Sequence, residues 1–340
     1  MSRDVNTMKR RWSFEKLQRA SILILVLALG LFASIKSPTF FSWSNIVDNL
    51  FTNATAIGIM AVGMTFVMIG GGFDLSVAAN TAVCGIVLVM TMNEFSSQGA
   101  AVAIPAALLA AGLVGMALGL VNGVLIAYVG VNPFVVTLST MFVFRGIALI
   151  LTGGGQSLQV ADLALRKQFT WIYDKQFPLF GPGYQIGVPI LIFLVALAIG
   201  IYLLKFTRFG HYVYAVGGNE QAARLAGVNA RRVKAATYVM CGLGCAIAAV
   251  IFVAMISTAE AASHKGIELD VIASVIVGGT ALGGGSGGLM FTVTGVLLLR
   301  LIDNLLTQFS VGTEYREVVT GLIILVVVTI DVLARKRTRS

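Results

Sequence analysis

KFTRFGHYVYAVGGNEQAARLAGVNARRVK, residues 205–234, is the one sizeable polar stretch lying between two long apolar runs of this chain. It carries six basic residues (Lys205, Arg208, Arg224, Arg231, Arg232 and Lys234) against one carboxylate, Glu220. Loops of that charge asymmetry between membrane spans are retained in the cytosol. Within the loop, Asn219 is placed to cap a short helix from Glu220 to Ala226, with its acid in the first turn and Gly227 ending it. A helix of about seven residues is marginal in water, because nucleation is costly and few hydrogen bonds repay it. It therefore needs a surface, either its own neighbouring helix ends or another protein.

Outside that loop the chain is strongly apolar. Of 340 residues 57% are hydrophobic and 11% charged, and the mean hydropathy is +0.91. No ordinary soluble domain has this profile. The fold class it predicts is an all-α polytopic membrane protein in a single transmembrane domain, residues 20–334. The formal charge of +9 does not point to nucleic acid, since 16 of the 24 Lys/Arg fall in segment 1–19, loop 205–234 and tail 335–340. Basic clusters beside apolar spans are topology signals and contacts for anionic membrane lipids. Cys84, Cys241 and Cys245 lie in apolar runs without a CxxC pair or a neighbouring histidine, which is packing rather than metal or redox chemistry.

Taken in order, the basic segment 1–19 precedes a retained first span near 20–35. Spans two to five are expected near 46–69, 75–92, 100–128 and 133–151. The external loop 152–186 follows, then span six near 187–204, the cytosolic loop, and span seven near 235–257. Spans eight to ten are expected near 270–286, 289–309 and 316–334. About ten helices result, some broken or re-entrant at glycine-rich turns, with both termini cytosolic. Gly115, Gly119 and Gly123 at four-residue spacing predict close backbone approach to another helix. IGGGFDLSVAANTAVCGIVLV (69–89) and VGGTALGGGSGGLMFTVTGVLLL (277–299) share a double glycine between apolar stretches, which reads as duplicated halves or as glycine bias alone.

Catalytic motifs are missing from the sequence. The glycine-rich GGTALGGGSGG has no lysine to hold a phosphate, and there is no nucleophile elbow or zinc-binding HExxH. No catalytic or metal site is expected, so an enzyme is a poor fit. Ionisable and polar groups in the apolar slab are more informative, because they are expensive there and face a cavity or a partner. Asp74 reads as a cap for a broken helix or as a plain interfacial cap. Arg300 is expected to pair with Asp303 at i, i+3. Asp74, Asn80, Asn122, Thr137, Arg145 and Asn304 are candidates for a polar route suited to an uncharged hydroxylated solute, although each neutral one also suits an interhelical hydrogen bond.

Four stretches carry a resemblance: GMTFVMIGGGFDLSV (63–77), GLVNGVLIAYVGVNPFVVTLSTMFVFRGIALILTGG (119–154), YAVGGNEQAARLAGVNARRVK (214–234) and ELDVIASVIVGGTALGGGSGG (268–288). Together, in this order, they resemble the permease subunits of bacterial ABC importers for ribose, galactose, arabinose, xylose and related monosaccharides. The resemblance implies that Gly218, Asn219, Glu220, Arg224, Leu225 and Gly227 form a coupling helix for a separate cytosolic ATP-binding subunit. ATP and Mg would sit on that subunit, with no cofactor on this chain. It also implies an external sugar-binding protein, a second permease protomer, and a place in the bacterial cytoplasmic membrane. Phe73, Ala78-Ala79-Asn80 and Ser286-Gly287-Gly288 depart from the family pattern, which bears on substrate identity. The competing class is a proton-coupled secondary carrier or facilitator, for which Asp74 would be the titrating group.

Overall fold

The computed structural model describes residues 30–312, except 36, 38, 180 and 182, together with isolated positions between 315 and 329. Both basic tails, the tenth span and most of the first span lie outside the described residues, although 30–35 are helical. Seven helices among the described residues are long and apolar enough to cross a membrane. They are α1 (Ser44–Ile69), α2 (Val77–Glu94), α3 (Ala100–Val129), α4 (Pro133–Leu151), α6 (Val188–Phe206), α9 (Ala230–Ile256) and α11 (Leu289–Gln308). Four shorter helices complete the set: α5 (Leu163–Asp174), α7 (Arg208–Gly218), α8 (Glu220–Leu225) and α10 (Ile267–Val277).

Spans two to seven and span nine fall where the apolar runs placed them. The eighth does not. α10 has 11 residues, a length of about 16 Å at 1.5 Å per residue, roughly half of the hydrocarbon thickness. The run from 270 to 286 is apolar, but Gly278 caps the helix, Gly279 turns the chain at positive φ, and Gly284 and Gly285 keep the following segment irregular. A second difference lies at the loop boundary. α9 begins at Ala230, so Arg231, Arg232 and Lys234 stand on its first turns rather than in an irregular loop. Two short antiparallel ribbons involve the segment 152–186: β1 (Leu158–Gln159) pairs with β4 (Thr258–Ala259), and β2 (Gln176–Pro178) with β3 (Gln185–Gly187). They tie loop 152–186 to itself and to the end of α9.

α1 is the central post. Its residues from Ala54 to Ile69 are buried on every side, as expected for a helix apolar around its whole circumference. α6, α9, α10 and α11 pack around it. α3 and α4 lie outside, with large apolar side chains such as Leu109, Phe142 and Ile150 exposed where lipid would be. Lipid tails are as apolar as leucine, so close packing rather than hydrophobicity holds such helices together.

The glycine row of α3 supplies that packing, and its partner is α9. A Cβ at Gly115 would lie 2.4 Å from the Gly242 carbonyl oxygen, one at Gly119 2.3 Å from that of Tyr238, and one at Gly123 2.8 Å from Ala235 Cα. Rising numbers on α3 meet falling numbers on α9, so the two helices run antiparallel with backbones in contact. Gly119→Val should lower the detergent-solubilised melting temperature by the equivalent of about 1–3 kcal/mol or abolish folding, as overpacking does. Gly146→Ala on α4, where a Cβ meets nothing within 4 Å, should leave it unchanged.

Candidate functional site

The segment around α8 is built by local rules that the sequence already contains. Asn219 is extended and caps α8, its Oδ1 accepting the Ala222 amide at 2.9 Å. At the other end Gly227 has φ +84, its amide donates to Arg224 O, and the Val228 amide donates to Ala223 O. This is a Schellman motif, in which a left-handed glycine lets two orphan carbonyls be satisfied. α8 is thus one residue shorter than expected, with Ala226 as its C-cap. Glu220 bridges Arg224 on the same helix and Lys234 on α9, the latter at 2.5 Å. The hydrogen bond from Lys234, assisted by both positive charges, holds the Glu220 carboxyl below its usual range. A helix too short to persist alone is therefore clamped at both ends and pinned to α9.

Leu225 is 91% exposed on this rigid platform. Arg224 is half exposed beside it.

Immediately before α8, three glycine turns meet. Gly217, near the end of α7, packs so tightly that a Cβ there would lie 1.7 Å from Ile69 O and 2.8 Å from Gly285 N. The Gly285 amide donates to Ile69 O at 2.8 Å. A Cβ on Gly284 would lie 2.8 Å from Gly71 Cα. The turns after α1 and α10 are built alike. The Gly71 and Gly279 amides donate to Met68 O and Ile276 O, and the Gly72 and Thr280 amides to Val67 O and Val275 O. Gly71 and Gly279 both have positive φ. The similarity between 69–89 and 277–299 thus has a shared backbone turn behind it. Gly217 and Gly284 were not singled out from the sequence; the signal was the recurrence of paired glycines at 70–72, 217–218 and 283–285.

One step further from α8 lies a buried polar chain. Asp74 is 1% exposed, and its Oδ1 accepts the Ser76 amide at 2.8 Å and the Ser76 hydroxyl at 2.6 Å. That closes an Asx turn ahead of α2, rather than the helix cap expected. Asn122 on α3 reaches Ser76 Oγ at 2.8 Å and both Asp74 oxygens at 3.3 and 3.4 Å. Thr140 on α4 donates to Asn122 Oδ1 at 2.7 Å. The Tyr238 hydroxyl from α9 donates to Phe73 O at 3.2 Å. Residues from three helices thus gather around the 70–76 turn. Asn80 sits beyond it, 3.4 Å from Gly115 O and accepting the Cys84 thiol. Thr137 is buried but bonds Pro133 O on its own helix. Ser76 and Thr140 complete the network.

Arg145 and Asn304 are elsewhere. Arg145 holds the turn after α9, donating to Ala261 O and, at 2.9 Å, to Ser263 O. Asn304 forms a reciprocal amide pair with Asn45 across α11 and α1, at 3.0 and 3.2 Å. Arg300 pairs with Asp303 at 2.8 Å as expected, and also with Asp270 of α10 at 2.6 Å. Nothing in this arrangement activates a nucleophile. It offers hydroxyls, amides and one carboxylate that hold helix ends in register.

Asn122→Ala would remove donors from Asp74 and the better acceptor of Thr140. It should cost about 1–3 kcal/mol as unsatisfied buried polar groups do, read as a lower melting temperature, while Thr137→Val should cost less. His264 provides a pH test in the turn after α9. It stacks on Phe252 with centroids 4.0 Å apart, and burial, with Arg145 adding to it, pushes its pKa down from 6.5 to about 4. A depressed histidine pKa means that the unfolded chain takes up the proton first. Stability is therefore full above about pH 6.5 and declines as pH falls through 6.5 towards about 4. Melting curves of His264→Gln between pH 7.5 and 4.5 should show a shallower decline than wild type.

The chain matches, over residues 46–328, a protein family described as the permease component of the branched-chain amino acid transport system. It is 36% identical over 324 residues to the ribose import permease protein of Escherichia coli (strain K12), covering 95% of each chain. The ribose import permease protein of Bacillus subtilis (strain 168) is 34% identical over 331 residues, 96% of this chain and 97% of that one. The L-arabinose transport system permease protein of Escherichia coli (strain K12) is 32% identical over 335 residues, with 98% and 96% covered.

Proposed function

This chain belongs to that permease family, and from this premise we propose that it is the membrane-spanning subunit of an ABC importer that carries a monosaccharide or related polyol into the cell. The family description names amino acids, but the full-length relatives are named for ribose and arabinose. The buried polar groups here are mostly neutral hydroxyls and amides, which suits a solute without charge. A separate ATP-binding subunit supplies the energy, holding ATP and Mg, and an external sugar-binding protein delivers the solute. A second permease protomer completes the pathway, and loop 205–234 and both termini face the cytosol.

The observation that carries this reading is Leu225, almost fully exposed on a helix capped at both ends. An exposed leucine on a fixed platform, flanked by Arg224, is the anchor that a docking partner would bury. Two residues before α8 begins, Gly218 leads into the glycine joint of Gly217 against Ile69 and Gly285. Closure of the ATPase pair would therefore move the platform, and through backbone contact the turns after α1 and α10. Energy enters because ATP binds the two conformations unequally; equal binding would shift nothing. The Asp74, Asn122 and Thr140 network would then hold the moving turn in register with α3 and α4.

Leu225→Asp should abolish capture of the ATP-binding subunit encoded beside this chain and reduce sugar uptake at least about tenfold, the loss of a hot-spot contact, with membrane insertion unaltered. Arg224→Glu should uncouple ATP hydrolysis from uptake. Wild-type capture and transport in both variants would overturn the docking assignment. A proton-coupled carrier has one specific point in its favour, since Asp74 is the only buried carboxylate among the described residues. Uptake that persists under a protonophore with ATP held constant favours the ABC reading, and uptake that collapses favours the carrier.

A further inference from the structure

The lipid-facing side of the α3 and α9 seam carries a groove of about 670 Å³ with no role in docking or transport as described above. Its cause is the glycine row: where Gly119 and Gly123 bring the backbones into contact, the larger side chains diverge outwards. Leu120 and Val124 form one wall, Val239 and Met240 the other, and Ala235 and Ala236 the floor. Tyr128 and Arg232 close one end. The antiparallel register places that end where α3 finishes and α9 begins, beside loop 205–234. From Leu120 to Tyr128 the groove runs about 12 Å along the helix, a stretch that matches the upper part of an acyl chain.

The charge at the closed end has no internal answer. Arg231 and Arg232 occupy the first turn of α9, which contains no acidic residue, and a helix N-terminus is itself partially positive and disfavours cations. Among the described residues neither arginine is within ion-pair reach of a carboxylate. An anion at this point would relieve both arginines and the helix end. The apolar walls require that the anion be attached to hydrocarbon.

We propose that this groove is a binding site for an anionic phospholipid of the inner leaflet. Its acyl chain lies between Leu120 and Met240, and its phosphate meets Arg232, with Arg231 and the Tyr128 end alongside. Arginine is suited to phosphate because its planar fork offers two parallel donors, and basic recesses between helices on the cytoplasmic side favour anionic headgroups. The choice of leaflet rests on the cytoplasmic placement of loop 205–234 proposed above. A lipid seated here would brace the start of α9, to which Lys234 and Glu220 tie the docking helix.

The test uses the full-length protein in mild detergent, titrated with phosphatidylglycerol or phosphatidylcholine and read by native mass spectrometry. Wild type should prefer phosphatidylglycerol. Loss of each arginine should weaken that lipid about fivefold, the effect of one basic residue near a membrane phosphate, so Arg231→Ala with Arg232→Ala should weaken it by more than tenfold. Ala236→Phe, or Val239→Phe if the first does not fold, fills the groove and should lower binding of both lipids with the arginines intact. Unchanged phosphatidylglycerol binding in the arginine or groove variants, or equal binding of the two lipids by wild type, would overturn the proposal. So would a disulfide between Leu120→Cys copies in native membranes, which would mean that a second copy covers the groove. Separately, Gln221→Cys, exposed while the native cysteines are buried, should react with an impermeant thiol reagent only from the cytoplasmic face. Reaction only from the outer face would overturn the leaflet and the topology together, whatever the lipid result.

Discussion

Backbone contact without intervening side chains is the constraint on which this molecule depends. At Gly217 there is no room for even a methyl group against Ile69 O and the Gly285 amide. The same holds along the α3 and α9 seam at Gly115, Gly119 and Gly242. In a bilayer there is little hydrophobic gain from pressing two apolar helices together, so dispersion between closely fitted surfaces has to do it. Glycine permits the closest fit. Its cost in helix propensity, about 1 kcal/mol relative to alanine, is offset by contact that no other residue allows.

A second constraint is that polar groups away from water must find partners within the protein. Several here do so across a helix boundary. Asp74 and Ser76 join Asn122 and Thr140, Asn45 exchanges amide bonds with Asn304, and Arg300 lies between Asp270 and Asp303. Arg145 serves backbone carbonyls in the turn after α9. The glycine turns at 70–72 and 278–285 meet Gly217 by direct backbone contact, close to the start of α8.

Much of this was legible from residue order. The caps of α8 follow from Asn219 and Gly227, because an amide acceptor and a left-handed glycine act within a few residues. The close seam was legible in Gly115, Gly119 and Gly123, because a four-residue spacing puts them on one helix face. The i, i+3 pair of Arg300 and Asp303 was legible for the same reason. The eighth span was not, because hydropathy averages over a window and does not register that the Gly278-Gly279 turn stops a helix after 11 residues. Arg145, Asn304 and Asp74 all read as polar groups in an apolar slab, yet they serve three separate places.

The sequence by itself determined the class of the molecule, the paths of most spans and the construction of α8, since these depend on composition and on contacts a few residues apart. Tertiary structure alone decided that α3 pairs with α9, that Gly217 joins the turns after α1 and α10, and that Asp74 faces Asn122. The reason is physical: a glycine or a buried amide specifies how near a neighbour must come and what that neighbour must offer, but residues more than a hundred positions apart satisfy the same requirement equally well until packing chooses among them.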